Sequence, residues 1–134
     1  MAAKLSEKAV ELLKKPVLAH LATIMKNGAP QVTPLWIDTD GTNLFINTEQ
    51  NRLKAKNMRR NPTVALSMVD PQNNYNTLWI QGTVIDMDAK AGQAHADTFA
   101  KKYRGVDKYV NTNPADVRVK ITIRPDKVAG SASK

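Results

Sequence analysis

The fold class follows from residues 17–38, which read VLAHLATIMKNGAPQVTPLWID. Two apolar runs, at 17–24 and 30–38, are rich in the residue types that strands favour, and Asn27-Gly28 lies between them. An Asn-Gly pair between two such runs is a strong signal for a β-hairpin. The stretch therefore predicts two antiparallel strands joined by a tight turn.

Short apolar or alternating runs after this hairpin predict four more strands, at 43–48, 63–69, 77–87 and 117–123. Three helices are predicted, each with a capping residue at its start: Ser6 to about Lys14, Asn51 to Arg60, and Asp88 to about Tyr103. The tight connections between the first three strands exclude alternating βαβ units, because parallel neighbours need long crossovers. We expect a mostly β (α+β) protein in which six antiparallel strands form a small barrel with flanking helices.

A single domain is expected, because 134 residues is close to the usual size of one domain. Hydrophobic residues make up 42% of the chain and charged residues 24%, which is a globular composition. We expect residues 1–134 to form this domain, with frayed ends at 1–5 and 129–134. The chain has no cysteine, and His20 and His95 are far apart in sequence, so neither a disulfide nor a metal site is expected.

The charge indicates an anionic partner, because 20 Lys and Arg against 12 Asp and Glu give a net charge of +8. No apolar run approaches the roughly 18 residues that span a bilayer, and the N-terminal stretch has no signal-peptide core. We therefore expect a cytoplasmic protein that has no membrane partner.

The second predicted strand, 30–38, is apolar on both faces. Val32 and Trp36 point to one side, and Leu35 and Ile37 point to the other. A barrel of this size cannot cover its own outer surface, so a partner subunit is a natural cover for the second face. Pro34 has no N–H to give to a neighbouring strand, so it marks an edge, a bulge or an opening of the barrel.

The basic segment 51–60, NRLKAKNMRR, is the sharpest indication of chemistry. With Asn51 as the N-cap, the first turns hold Arg52, Lys54 and Lys56, although the positive end of a helix disfavours cations. An anion at this helix start removes the conflict, since backbone N–H groups and cations then converge on a phosphate. The alternative is a solvated basic helix.

Other candidates each have two interpretations. Trp79 lies on a polar strand face, which is typical of an interface or a ligand site, but a neighbouring helix could equally cover it. His20 lies in an apolar strand and is interpreted as a core or interface histidine, and His95 is expected to face solvent. The last strand has a basic face that either receives an anionic ligand tail or is solvated, formed by Arg118, Lys120 and Arg124.

Several short motifs occur in a fixed order: Leu21-Ala22-Thr23, Asn27-Gly28-Ala29-Pro30, Thr33-Pro34-Leu35-Trp36, Asn57-Met58-Arg59-Arg60-Asn61-Pro62 and Arg124-Pro125-Asp126-Lys127-Val128. Each is weak alone, but the ordered set, which spans about residues 6–130, is specific. The chain resembles the pyridoxamine-phosphate-oxidase-like split-barrel superfamily. Within it, the chain is most similar to the flavin/deazaflavin oxidoreductases that use coenzyme F420.

The resemblance implies a homodimer of six-stranded split barrels of the FMN-binding type, with two cofactors in grooves at the dimer interface. The ring would lie along the second strand, at Thr33, Pro34, Leu35, Trp36 and Ile37. The phosphate would lie between the third strand and the next helix, at Asn47, Thr48, Asn51, Arg52 and Lys54. Further cofactor contacts would come from Asn57, Trp79 and Arg118. Trp36 and Trp79 would also wall the acceptor pocket, and Arg118 would reach the cofactor tail from the other subunit.

Three positions favour F420 over FMN within this resemblance. FMN oxidases usually have Ser-Arg-Lys where this chain has Arg52-Leu53-Lys54, a glutamine near Thr77 and an arginine near Thr33. F420 also carries a phosphate and a polyglutamate tail, which suit a chain of net charge +8. We expect an F420-dependent oxidoreductase that passes a hydride from the reduced deazaflavin to a small electron-poor acceptor. That acceptor would be an enone, a quinone or a tetrapyrrole-like molecule.

Three alternatives stay open at the level of sequence. The chain could be an FMN-binding oxidoreductase of the same superfamily, or an F420 carrier without turnover. A basic nucleic-acid-binding module is disfavoured, because only 5% of the residues are aromatic and no stacking platform is evident. We expect no nucleic acid and no metal as partners, and the sequence assigns no general acid.

Overall fold

The computed structural model describes residues 2–134. Its helices are α1 (Glu7–Lys14), α2 (Leu53–Arg60) and α3 (Gly92–Arg104). Its strands are β1 (Leu18–Ile24), β2 (Pro30–Trp36), β3 (Asp38–Thr39), β4 (Leu44–Glu49), β5 (Thr63–Asp70), β6 (Asn73–Asp88) and β7 (Arg118–Ala129). They form one curled antiparallel sheet of order β2-β1-β5-β6-β7-β4-β3, which confirms the predicted split-barrel class. No helix of residues 2–134 is long and apolar enough to cross a membrane.

The predicted hairpin is confirmed, because β1 pairs with β2 along its whole length. Gly28 closes the turn with φ +88°, a conformation that glycine adopts without strain. Its N–H donates to the Met25 carbonyl at 2.8 Å, and Asn27 Oδ1 accepts from the N–H of Ala29 at 3.0 Å. The Asn-Gly pair therefore fixes the turn from which the register of the two strands follows.

One residue, Ile37, joins the two edges of the sheet. β2 and β3 lie at opposite ends of the strand order, yet Ile37 alone separates them along the chain. The sheet therefore curls until its edges meet, which closes the barrel at this corner. Away from the corner, β2 pairs with β1 alone within residues 2–134, so its other edge faces β4 across an open split.

Helix α3 fastens this corner. Ile37 is fully buried, and its N–H donates to the Tyr103 hydroxyl at 3.0 Å, which lies 2.6 Å from the carbonyl of Val17. The Lys102 ammonium donates to the carbonyls of Ile37 at 2.7 Å and of Leu13 at 2.6 Å. Burial raises the pKa of Tyr103 to about 12 and lowers the pKa of Lys102, because burial disfavours the charged form of each.

The core fills the inside of the curl. Helix α1 begins after Ser6, whose Oγ accepts from the N–H of Ala9 at 3.1 Å, as the sequence predicted. Ala9, Leu12 and Leu13 of this helix are buried in the same core as the strands. Fully buried side chains of the strands include Leu21, Ile46, Leu66, Met68, Ile80 and Ile121.

The sheet has seven strands rather than the predicted six. The strand expected at 30–38 ends at Trp36, and Asp38–Thr39 forms a separate short strand against β4. The strands predicted at 63–69 and 77–87 are joined by a tight turn, because β5 ends at Asp70 and β6 already begins at Asn73.

Two helix starts differ from the prediction. Arg52 rather than Asn51 occupies the N-cap position of α2 and makes no side-chain cap hydrogen bond. Asn51 belongs to the preceding turn, where its N–H donates to Glu49 Oε1 at 2.8 Å. Helix α3 begins at Gly92, because Asp88 accepts from two N–H groups of the turn before the helix and does not cap it.

The C-terminal tail was expected to be frayed, but it packs against the barrel. Ser131–Ser133 forms a 3₁₀ helix, and Ala132 within it is fully buried. Ser6 Oγ donates to the Ala132 carbonyl at 2.9 Å, and Ser131 Oγ accepts from the N–H of Thr77 at 2.9 Å. The sequence signalled none of these contacts, because small polar residues are also typical of disordered ends.

Replacing Tyr103 with Phe will loosen the corner at Ile37. The ring stays, but the loss of the hydroxyl leaves the N–H of Ile37 and the carbonyl of Val17 without this partner. We expect the free energy of unfolding in urea to fall by about 1–3 kcal/mol. Tyr75→Phe is the matched control, because Tyr75 is 86% exposed. Equal stability of the two variants would contradict the role given to Tyr103.

Candidate functional site

A groove with a volume of about 290 Å³ lies in the split between β2 and β4. The start of α2, one face of α3, the segment 105–117 and the start of β7 complete its walls. The lining residues are Leu18, Pro34, Leu35, Trp36, Asn47, Thr48, Arg52, Lys54, Ala96, Phe99, Arg104, Tyr109 and Arg118.

Most of the predicted cofactor residues meet in this groove. They are Pro34, Leu35, Trp36, Asn47, Thr48, Arg52, Lys54 and Arg118. The structure does not bring Thr33, Ile37, Asn51, Asn57 or Trp79 to the lining. Binding of a cofactor stays a prediction for the residues of both groups.

Ile37 and Asn57 have structural roles that need no ligand. Ile37 is the fully buried corner residue. Asn57 is also fully buried, where its Nδ2 donates to Thr23 Oγ1 at 3.0 Å and its Oδ1 accepts from Arg60 Nη2 at 2.9 Å. The bond to Thr23 ties α2 to β1, and the bond to Arg60 lies within α2.

Thr33, Asn51 and Trp79 lie beside or away from the groove. Thr33 is next to the lining residue Pro34, and its Oγ1 is buried with no hydrogen-bond partner in residues 2–134. Asn51 is exposed in the turn before α2. Trp79 is 39% exposed, and the Lys127 ammonium lies 5.6 Å from the centre of its ring.

Four cations, Arg52, Lys54, Arg104 and Arg118, line the groove, and the charge of Arg118 adds to the backbone hydrogen bonds that lower the pKa of Glu49 at the end of β4. None of the ion pairs within residues 2–134 involves Arg52, Lys54 or Arg118. Burial lowers the pKa of Lys54, and the charges of Arg52 and Arg118 lower it further. Like charges held together in a half-buried place favour the binding of an anion, which relieves their repulsion.

Arg118 is held in place by two contacts. Its Nε donates to Asn47 Oδ1 at 2.9 Å, and its guanidinium carbon lies 4.6 Å from the centre of the Tyr109 ring. This geometry occupies Nε and one face of the guanidinium. The two terminal nitrogens stay available for a bidentate contact with an anionic group.

An aromatic wall stands beside the cations. The Trp36 ring stacks on Tyr103 with a centroid distance of 4.9 Å and an interplanar angle of 12°. Phe99 and Tyr109 approach Trp36 edge-on, at 6.5 Å and 6.2 Å. The guanidinium of Arg104 lies 4.9 Å from the Trp36 ring centre. These contacts make a firm, largely apolar surface inside the groove.

Sequence reasoning missed the half of the groove that α3 and the following segment supply. Phe99 lies within the predicted third helix but was not assigned to a site, and Tyr109 lies in a stretch without periodicity. Two tertiary hydrogen bonds bring Tyr109 in: Asp97 Oδ1 accepts its N–H at 2.9 Å, and Gln93 Nε2 donates to its carbonyl at 3.2 Å. For Tyr109, the available sequence signal was a single aromatic residue in a polar loop.

His95 is not the solvent-facing residue that the sequence predicted. Its ring centre lies 4.4 Å from that of Phe99 and 6.2 Å from that of Phe45, and burial lowers its pKa to about 4. His20 is exposed on β1, so the interpretation of His20 as a core residue is wrong. Within residues 2–134, no three potential metal-ligating side chains cluster.

The chain is similar to known proteins in sequence and in fold. The pyridoxamine 5′-phosphate oxidase family matches residues 5–129. Among solved structures, the chain is similar to an F420 reductase, with 35% identity and a TM-score of 0.78, over 89% of this chain and 94% of that one. No curated protein matches the sequence.

Two further solved structures are similar at lower identity. A conserved hypothetical protein from Mycobacterium tuberculosis is 20% identical with a TM-score of 0.73, over 95% of this chain and 84% of that one. A Listeria innocua protein named for pyridoxamine 5′-phosphate oxidase is 18% identical with a TM-score of 0.71, over 95% of this chain and 98% of that one. At these identities the likeness concerns the fold alone.

Removing the charge of Arg118 will raise the pKa of Lys54. Arg118→Gln takes away one of two like charges that, together with burial, hold this pKa below 10.5. We expect the NMR titration of the Lys54 side chain to move to higher pH. Arg104→Gln, a second arginine of the groove, should leave the titration in place. An unshifted Lys54 titration in Arg118→Gln would show that the two charges do not interact.

Proposed function

Because the chain belongs to the pyridoxamine 5′-phosphate oxidase family, a family of oxidoreductases, we propose that it is a coenzyme F420-dependent reductase. Its substrate would be a small electron-poor organic acceptor such as an enone, a quinone or a tetrapyrrole-like molecule. When bound, the reduced deazaflavin supplies the hydride. The protein contributes binding, orientation and a groove that excludes water.

Three cations of the groove carry this proposal. Arg52, Lys54 and Arg118 line one groove and form no ion pair within residues 2–134, so positive charge exceeds negative charge there. A phosphate supplies that charge, and the free N–H groups at the start of α2 add further donors. F420 carries a phosphate and a polyglutamate tail, which several basic residues of a chain of net charge +8 attract.

The free edge of β2 suits the ring of such a cofactor. Pro34 has no N–H to donate. The hydrogen bonds between β2 and β1 are therefore complete only if the proline nitrogen faces the split and not β1. In an antiparallel pair alternate residues face the same side, so Val32 and Trp36 then direct their backbone groups into the split as well. Backbone donors and acceptors along an open edge match the polar edge of a flat heterocycle.

The aromatic wall suits a planar acceptor. Trp36, Phe99 and Tyr109 present apolar ring surface in the same groove as the cations. A conjugated, electron-poor molecule gains from such contacts, and the wall keeps water from the reacting face. This shape and polarity support the proposed class of acceptor.

F420 is favoured over FMN by two observations. A solved F420 reductase is similar to nearly the whole chain, whereas the similar structures named for pyridoxamine 5′-phosphate oxidase share the fold at low identity. The groove also places Arg52 and Lys54 together with Arg118, so it provides more positive charge than a single phosphate requires.

We also propose a homodimer. The outer face of β1 and β2 exposes Leu18 at 51% and Val32 at 60%, with Pro34 between them on the same side of the hairpin. An apolar strand face of this kind needs a cover. The groove volume of about 290 Å³ is small for a whole cofactor, so a second subunit seated on this face would complete the site.

Replacing both Arg52 and Lys54 with Ala will weaken cofactor binding strongly. Two charge-assisted contacts to the phosphate are lost, and we expect the Kd for F420 to rise by about 100-fold or more. The measurement is a fluorescence titration with F420 and, in parallel, with FMN. Lys56→Ala is the matched control, because Lys56 is an exposed lysine of the same helix.

The same titrations separate the alternatives. Tighter binding of FMN than of F420 by the unaltered protein would reject the F420 assignment. Binding of F420 without reduction of any acceptor from the three classes would make the protein a carrier rather than an enzyme. An unchanged Kd for F420 in the double variant would reject the site itself.

Replacing Val32 with Glu will dissociate the dimer. The substitution places a charge in the middle of an apolar face, and its burial against a partner is unfavourable. We expect a change from dimer to monomer in analytical ultracentrifugation. Val110→Glu is the control, because Val110 is 82% exposed on the segment after α3. A dimer that survives in Val32→Glu would place the interface elsewhere.

A further inference from the structure

The N-terminal turn of α3 lies directly against the backbone of Arg118. A Cβ at Gly92 would lie 1.8 Å from the Arg118 carbonyl oxygen and 2.7 Å from the backbone nitrogen of Val119. Real Cβ atoms do not approach so closely, so only glycine fits here. The helix and the strand that carries the groove arginine are therefore held in one fixed relation.

Asn47 links the side chains of these two elements. Its Nδ2 lies 2.9 Å from the Gly92 carbonyl oxygen and 3.0 Å from His95 Nδ1, and its Oδ1 accepts from Arg118 Nε at 2.9 Å. The Gly92 carbonyl only accepts and the Arg118 guanidinium only donates, so the orientation of the amide is determined. His95 Nδ1 must then accept, which puts the proton of a neutral imidazole on Nε2.

The surroundings of His95 keep it in that neutral form. Burial between Phe45 and Phe99 and, to a lesser degree, the Lys120 charge on β7 lower its pKa to about 4, and the Asp38 charge at the corner acts in the opposite direction. At neutral pH the ring therefore accepts the second Asn47 hydrogen. In a protonated ring Nδ1 also carries a hydrogen, so it could no longer accept the hydrogen bond from Asn47 Nδ2.

We propose that His95 is a positioning residue of the groove. Through Asn47, the neutral ring keeps the amide oxygen on Arg118 Nε, so that the two terminal nitrogens of Arg118 face an anionic group of the ligand. His95 does not touch the ligand. The inference rests on the proposed function only in treating the groove as an anion site.

The first test needs no ligand. Hydrogen exchange of the Arg118 Nε–H, followed by NMR at pH 7, reports its bond to Asn47. His95→Leu should speed this exchange by about tenfold, because Asn47 Nδ2 loses one of its two acceptors and the amide is held less firmly against Arg118. His95→Asn, whose side-chain oxygen can replace Nδ1 as acceptor, should restore the slow exchange. Unchanged exchange in His95→Leu overturns the proposal.

The second test measures anion binding with inorganic sulfate as the probe. We expect His95→Leu to weaken sulfate binding by about fivefold and His95→Asn to leave it within about twofold. In an Arg118→Gln background, His95→Leu should have no further effect, because His95 acts through Arg118. Additive effects of the two substitutions would mean that His95 acts by another route.

Acidification provides the third readout, because sulfate keeps its charge down to about pH 3. As the pH falls through about 4, His95 takes up a proton on Nδ1, and the unaltered protein should lose both sulfate binding and the protection of the Arg118 Nε–H, measured against free arginine at the same pH. In His95→Asn, neither Arg118 exchange protection nor sulfate binding should change as the pH falls through about 4. A purely electrostatic role predicts tighter sulfate binding at low pH, and that result would overturn the proposal.

Failure of this inference is distinguishable from failure of the proposed function. Weaker F420 binding in Arg118→Gln with no effect of His95→Leu would reject the positioning role and keep the groove as the cofactor site. Slow Arg118 exchange that depends on His95, without any binding of F420, would keep the positioning role and reject the cofactor.

Discussion

The passage from β2 to β3 through Ile37 is the constraint on which the rest of the structure depends. A single residue joins the two outer strands of a seven-stranded sheet, so the sheet has to curl and meet itself at that point. Hydrogen bonds from Lys102 and Tyr103 satisfy the buried backbone of the corner and bring α3 against it. The split opens beyond the corner, where β2 no longer has a second neighbour. The groove is thus a consequence of closing the barrel at one end only.

The positive charge in the split is unfavourable for the protein alone. Lys54 is half-buried beside two arginines and forms no ion pair within residues 2–134, and the lowering of its pKa is the direct sign of that cost. By contrast, the buried carboxylate of Asp70 is paired with Lys15 at 2.8 Å. An arrangement that is unfavourable locally and lines a groove is typical of a binding site.

Local sequence signals predicted the elements that local chemistry determines. The Asn27-Gly28 turn, the Ser6 cap and the basic start of α2 follow from neighbouring residues, and the structure contains all three. The wall formed by Phe99 and Tyr109 was not predictable, because it depends on how α3 packs across β4 and β7. His95 was misplaced for the same reason, since the helix buries more of its surface than its amphipathic pattern indicates. The corner at Ile37 was also not predictable from the sequence, because a continuous apolar run does not show where one strand ends and the next begins with a new partner.

Strand β2 serves the groove with its edge and the proposed dimer with its outer face. Pro34 lines the groove, while Val32, two residues away on the same outer side, is largely exposed. A ligand that contacts β2 and a partner subunit that covers it therefore order the same seven residues. By linkage, anything that binds the assembled form better than the separate form stabilises the assembly. Cofactor binding and dimerisation of this chain are then expected to reinforce each other, because both depend on the geometry of one edge strand.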